Sequence, residues 1–235
     1  MSAAEPAATT QARTVARRVW DQLPALVVAS SVVCAAIVVA VLVAPGVTPT
    51  AVVLWALLVA PVFAGLVGVT TDVLNGAEVR VFGFHRYVRH TVRLALASAA
   101  VPAVAAVCSL VSLEVLHQTH ATITLVPLAV SGAVTVLGSL AGLLALPVAV
   151  RVPSLRGPSL ALFCLRAVAR RPIPVVGVLA VGVLGLWAAV TWSASVVVLV
   201  PGPFALVLVL AASATVSGDP VWRLLDEEGS TAPAR

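Results

Sequence analysis

The sequence predicts an all-α membrane protein: a polytopic bundle of six transmembrane helices in three hairpins, with short amphipathic helices on the cytoplasmic face. Three observations lead there. The 235 residues are 61% hydrophobic and only 10% charged, whereas soluble domains carry about 25% charged residues. The mean hydropathy is +1.12, more apolar surface than a water-soluble fold of this size can hide, so lipid must be the solvent for most of it. All fourteen basic residues are Arg, with no Lys, and they fall in short blocks between apolar runs. A net charge of +5 and a pI near 10.4 suit nucleic acid in a soluble chain, but basic blocks that flank apolar runs point to anionic lipid headgroups instead. No nucleic-acid partner is expected.

Residues 1–22 read as a cytoplasmic tail and interfacial helix, 23–217 as the membrane domain and 218–235 as a cytoplasmic tail. Residues 1–12, rich in Ala, Thr and Pro, are expected to be disordered. From Arg13 a helical stripe of Val15, Val19, Leu23 and Leu26 begins, with Trp20 placed for headgroup depth. The apolar run Leu23–Ala44 exceeds the roughly 7–15 residues of a signal-peptide core, which favours a retained helix. The first span is expected over Pro24–Ala44, ended by Pro45-Gly46, and the second over Thr50–Asp72 with Pro61 inside it.

The stretch Asp72–Arg93 is the longest polar interruption in this half of the chain. At helical spacing Arg86, Arg89, His90 and Arg93 share one face, while Phe84, Tyr87, Val88 and Thr91 share the opposite one. That pattern predicts an amphipathic helix lying at the membrane surface. The third span is expected over Thr91–Leu113, a loop over Glu114–Ala121, and the fourth span over Thr122–Val150. A second basic segment follows, Arg151–Pro172, with a short helix over Ser159–Arg171. The fifth span is expected over Ile173–Thr191 and the sixth over Val196–Val216, interrupted at Pro201-Gly202-Pro203.

Positive charge marks cytoplasmic loops. With six spans, every Arg falls on one side, so both termini are expected in the cytoplasm and the protein in the plasma membrane. The candidate contacts for anionic lipid or a cytosolic partner are Arg86, Arg89, Arg93, Arg166, Arg170 and Arg171.

Residues able to carry chemistry are sparse. Charge inside the apolar runs, the usual mark of ion and proton pathways, is nearly absent. Glu114, His117 and His120 have metal-site spacing, but no second pair accompanies them. Cys34, Cys108 and Cys164 show no pairing logic and read as apolar fillers. Gly138-x-x-x-Gly142, Ala64-Gly65 and Gly68, with Ser98, Ser109, Ser131, Thr135 and Ser139, read as helix-packing residues. No catalytic residue, cofactor or metal is expected.

Several of these positions also resemble a known family. Ala60-Pro61, Ala64-Gly65, Phe84, Arg86, Leu146-Pro147, Arg151 and the run from Leu160-Ala161-Leu162 to Arg171-Pro172 together resemble the YesL-like family of bacterial multi-pass membrane proteins. The resemblance implies a membrane protein without an assigned activity and a link to carbohydrate uptake, with a transporter subunit as partner. The expected function is therefore a non-enzymatic accessory or scaffold of a transport system. The alternative is a small transporter or channel with a path between helices two, three and four.

Overall fold

Proline and glycine set most of the helix boundaries, and the helices between them make up the molecule. The computed structural model describes residues 17–77, 79, 83–120, 122–151, 157–191 and 200–216. The predicted disorder of residues 1–12, Arg13, Arg80, Arg156, the turn at Trp192–Ser195 and the acidic C-terminal tail lie outside them. A helical turn over residues 17–21 leads into α1, Leu23–Val43. The next helix, α2, runs Pro49–Asn75 and includes a π-helical turn at Trp55–Val59. Then come α3, Phe84–Thr119, α4, Leu125–Arg151, α5, Pro158–Arg170, α6, Pro172–Thr191, and α7, Pro201–Val216.

Four of these, α1 to α4, are long and apolar enough to cross a membrane. The pair α5–α6 is apolar over its length but bends by 93° at Arg171, and α7 is shorter. The protein is thus an α-helical bundle with four to five membrane-length helices.

Helix α2 is the axis of the bundle. Every residue from Ala64 to Thr71 is buried, as expected of a helix that is apolar all round and enclosed by others. Leu66, Val67, Val69 and Val73 meet Leu26, Ala29 and Val33 of α1, Ala95 of α3, Leu146 of α4, and Ala205, Leu208 and Val209 of α7 in one core cluster. The Thr70 and Thr71 hydroxyls are buried too, and each donates to the carbonyl one turn earlier, Leu66 O and Val67 O, at 2.8 Å. Their polar groups are satisfied within the helix, so they pack as apolar groups do.

The π turn sits just before Pro61. Proline has no N–H to give to the carbonyl four residues back, and a widened turn ahead of it, closed by Ala60 N–H on Trp55 O, lets the helix pass that point. Gly76 ends α2 in the left-handed conformation, φ +83°, where its N–H reaches Asp72 O and Val73 O; only glycine adopts this readily.

Two expectations about the segments at either end of α3 need correction, the first of them about the first basic stretch. It is not a separate surface helix: its first residues are the end of α2, and from Phe84 onward it is the start of α3. Nothing between Phe84 and Pro102 breaks a helix, so the Arg-bearing turns are continuous with the apolar ones. Likewise the predicted loop at Glu114–Ala121 is mostly helix, with α3 running on to Thr119 and ending at His120, φ +51°. Gln118 Nε2 donates to Glu114 Oε1 at 2.8 Å across one turn. At about 1.5 Å per residue, 36 residues reach about 54 Å, well beyond a hydrocarbon layer of about 30 Å. Both polar ends of α3 therefore stand outside it, and Leu94–Leu113 is the part that fits within.

Helices α3 and α4 run antiparallel in close contact. A Cβ on Gly142 would lie 3.1 Å from Ser98 O, and one on Gly138 would lie 3.4 Å from Pro102 Cβ. Further along, Ser109 Oγ donates to Ser131 Oγ at 2.9 Å. The Gly138-x-x-x-Gly142 spacing does bring two backbones together, as the small-residue pattern predicts.

Candidate functional site

The described Arg residues gather at one end of the bundle. Arg17 and Arg18 precede α1; Arg86, Arg89 and Arg93 lie on the first turns of α3; Arg166, Arg170 and Arg171 lie on and just after α5. The contacts show that these ends coincide. Leu94 packs both on the α1–α2–α7 core and on the second cluster, where Leu144 and Val148 of α4 meet Leu160, Cys164 and Val168 of α5 and Ala212 of α7. Across the bundle, the α1–α2 and α3–α4 connections carry no Arg.

Two of these Arg side chains close helix C-termini, where carbonyls lack partners and the dipole favours a cation. Arg18 Nη1 donates to Leu74 O at 3.3 Å, and its guanidinium lies over Gly76, where an added Cβ would come 3.0 Å from Arg18 Cζ. Arg171 Nη1 donates to Ala214 O near the end of α7, at 3.4 Å. Arg86, Arg89 and Arg93 project outward on α3, as does Arg166 on α5, and none of the four has a hydrogen bond or ion pair among the described residues.

The face of α3 opposite its Arg residues packs against α2. Gly65 and Gly68 leave room for Phe84, Tyr87 and Val88: a Cβ on Gly65 would sit 2.6 Å from Val88 Cγ2, and one on Gly68 would sit 3.2 Å from Tyr87 Cδ1. The two faces predicted from spacing thus exist, one against the bundle and one away from it. The same packing makes a contact that spacing did not reveal. Tyr87 Oη donates to Asp72 Oδ2 at 2.6 Å. Tyr87 lies on the Arg-bearing turns, before the apolar part of α3. Burial, followed by the bond to Asp72 and its negative charge, pushes the phenol from its ordinary value of 10.0 up to about 12, with Arg86 opposing. The one available signal was that Asp72 is the acid at the end of an apolar run and Tyr87 is the chain's single tyrosine.

Helix α5 shows three sectors around its axis. Leu160, Cys164, Ala167 and Val168 are buried against the bundle. Leu162, 67% exposed, and Leu165 form a second apolar strip away from it, and Arg166 and Arg170 form a third, basic sector.

A cavity of about 610 Å³ lies at mid-depth between α2, α3 and α4, with α1, α6 and α7 completing its wall. Trp55, Phe63, Pro102, Leu143 and Phe204 supply the larger lining groups, and Ser98, Thr135 and Ser139 the hydroxyls; among the described residues no charged side chain lines it. Sequence reasoning placed a path between these three helices but did not single out Trp55 or the π turn beside it. Glu114, His117 and His120 are exposed on the last turns of α3. Among the described residues no three His, Cys, Asp or Glu side chains gather to hold a metal ion.

Comparison of the chain with protein-family models, with curated proteins and with solved structures returns no match.

Proposed function

We propose that this is a non-enzymatic integral membrane protein that serves as an accessory or scaffold at the inner face of the plasma membrane, with both termini cytoplasmic. The observation that carries this reading is the gathering of the described Arg residues at one end of the bundle. Arg18 and Arg171 are engaged in closing helix ends, while Arg86, Arg89, Arg93 and Arg166 face outward. Positive charge on one side fits the inner leaflet, and outward guanidinium groups suit lipid phosphate or an acidic partner surface. The resemblance to the YesL-like family suggests the partner, a subunit of a carbohydrate transporter.

Purification of the intact protein from native membranes in mild detergent tests this. A transporter subunit retained in stoichiometric amount is the expected result. Substrate flux through liposomes that hold this protein alone would replace the reading with the second one, a small transporter with its path between α2, α3 and α4. That second reading rests on the cavity between those helices, whose lining suits an apolar substrate.

A further inference from the structure

The mid-depth cavity is unlike a site for a sugar or an ion, and we infer that it is a binding site for a single acyl chain of a membrane lipid. The inference concerns the cavity alone and stands whether or not the protein has a transporter partner.

Size comes first. At about 610 Å³ the cavity lies within the range of small-molecule sites, roughly 300–1,000 Å³. The space is open along one side rather than sealed, so hydrocarbon from the surrounding bilayer can reach it. Water is a poor filler, because it needs several polar partners. The hydroxyls on the wall offer few: Ser98 Oγ donates to Ala95 O at 3.0 Å, and Thr135 Oγ1 donates to Ser131 O at 2.8 Å. Those two protons are committed to the helix backbone, and Ser139, with no hydrogen bond among the described residues, is the one hydroxyl left to offer. A sugar entering here would leave its own hydroxyls unpaired, whereas an acyl chain already in the hydrocarbon layer has none to satisfy.

The wall is also where the backbone departs from regular helix. The π turn Trp55–Val59, Pro102 within α3 and the start of α7 at Pro201-Gly202-Pro203 all border this one space. The π turn accommodates Pro61, and turns of this kind are frequent at functional sites. The start of α7 is suited to an apolar neighbour. A helix ordinarily presents four unpaired N–H groups at its start. Here Pro201 and Pro203 have none, and Phe204 N–H is bonded to Val200 O at 3.1 Å. Gly202 is buried, and a Cβ on it would lie 2.9 Å from Ser30 Oγ of α1. The helix therefore begins deep in the bundle while presenting little polarity to the cavity.

The test uses the full chain in phospholipid nanodiscs and a fatty acid with a diazirine midway along its chain. After illumination, the labelled peptides are identified by mass spectrometry. Label is expected on the cavity segments of α3 and α4, residues 95–106 and 135–146, and excess unlabelled fatty acid should abolish it. Ala103→Phe, which fills the cavity, should lose the label. Val104→Phe, on the outward side of the same turn, where Val104 is 64% exposed, should keep it. If Ala103→Phe does not fold, Ala99→Leu takes its place. Label that does not saturate and spreads over the exposed faces of α1 and α6 would overturn the inference. So would unchanged labelling of a folded cavity-filled variant, or displacement of the probe by a sugar.

Discussion

At the scale of single residues, the contact between Asp72 and Tyr87 makes the sharpest prediction. A phenol whose folded pKa is raised binds its proton more tightly in the folded state. Its stabilising contribution is fully present below the unfolded value near 10 and is lost as pH rises through about 12. Because the chain has one tyrosine, phenolate absorbance reads this group alone. Its midpoint should lie near 12, and Asp72→Asn should move it down toward 10 without reaching it, since burial is the larger cause. A wild-type midpoint at the ordinary value would mean that Tyr87 is neither buried against α2 nor bonded to Asp72 in the membrane, and an unchanged midpoint in Asp72→Asn would mean that the bond does not form. The glycines beneath this contact make a second prediction. Gly65→Val should destabilise the protein by about 1–3 kcal/mol, the usual cost of overpacking, because its Cβ meets Val88 Cγ2 at 2.6 Å. Gly132→Ala, inside α4 with nothing within 4 Å of its Cβ, should instead stabilise by about 0.5–1 kcal/mol, since alanine is the better helix former. Thermal unfolding in one detergent compares the two. The sequence showed that Gly65 and Gly68 serve packing, since small residues in an apolar helix do little else. It did not show what they pack against, because that depends on how the connection after Gly76 sets α3 beside α2.

Among the elements, the two basic segments look alike in sequence and differ in the fold, and the difference has a physical cause. Arg spaced at i, i+3, i+4 and i+7 places charge on one helix face whether that helix lies along the membrane or stands across it. What decides is continuity with the neighbouring apolar run. Between Phe84 and Leu94 nothing interrupts the helix, so the first basic face belongs to α3. Between α4 and α6, by contrast, Gly157 at φ +65° with Pro158 starts a separate helix, and Arg171-Pro172 ends it with a 93° turn. No separate surface helix forms at the first segment, whereas at the second, where the sequence predicts a short helix over Ser159–Arg171, one runs Pro158–Arg170. Its exposed apolar strip, Leu162 and Leu165, beside Arg166 and Arg170 is the arrangement of a helix seated at the headgroup boundary. Arg166→Gln with Arg170→Gln should reduce the enrichment of anionic over zwitterionic lipid around the protein in mixed nanodiscs, each Arg contributing about 1 kcal/mol near such a surface. Lipids recovered with the protein can be counted by mass spectrometry. Equal enrichment in wild type and variant would separate α5 from the headgroups.

For the whole molecule, composition decided the class and charge distribution suggested the orientation, but the number of crossings depends on α5 to α7, where sequence is least informative. Hydropathy rates Ile173–Thr191 as a span from its apolar run, yet cannot say that the polar turn before it lies across the bundle end. Likewise Val196–Val216 is apolar enough to count as a span; residues 196–199 lie outside the described residues, and the described helix runs Pro201–Val216. Orientation follows from a simpler argument. Arg17 and Arg18 before α1, the Arg-bearing start of α3 and the Arg residues of α5 share one end, and moving that end across the bilayer would carry many guanidinium groups through hydrocarbon, at roughly 2.5–3.5 kcal/mol each on an insertion scale. In the proposed orientation the α1–α2 connection, with no charge and with Val47 82% exposed, lies outside. With Cys34, Cys108 and Cys164 changed to Ala, Val47→Cys in intact cells should react with a thiol reagent that cannot cross the membrane. A cysteine appended after Arg235 in the same background should react only once the membrane is opened. Reaction at Val47→Cys from the outside with reaction at the appended cysteine as well would give an odd number of crossings, leaving the Arg end inside but moving the C-terminal tail out. Protection of Val47→Cys would invert the molecule and remove the inner leaflet as the surface its Arg residues face.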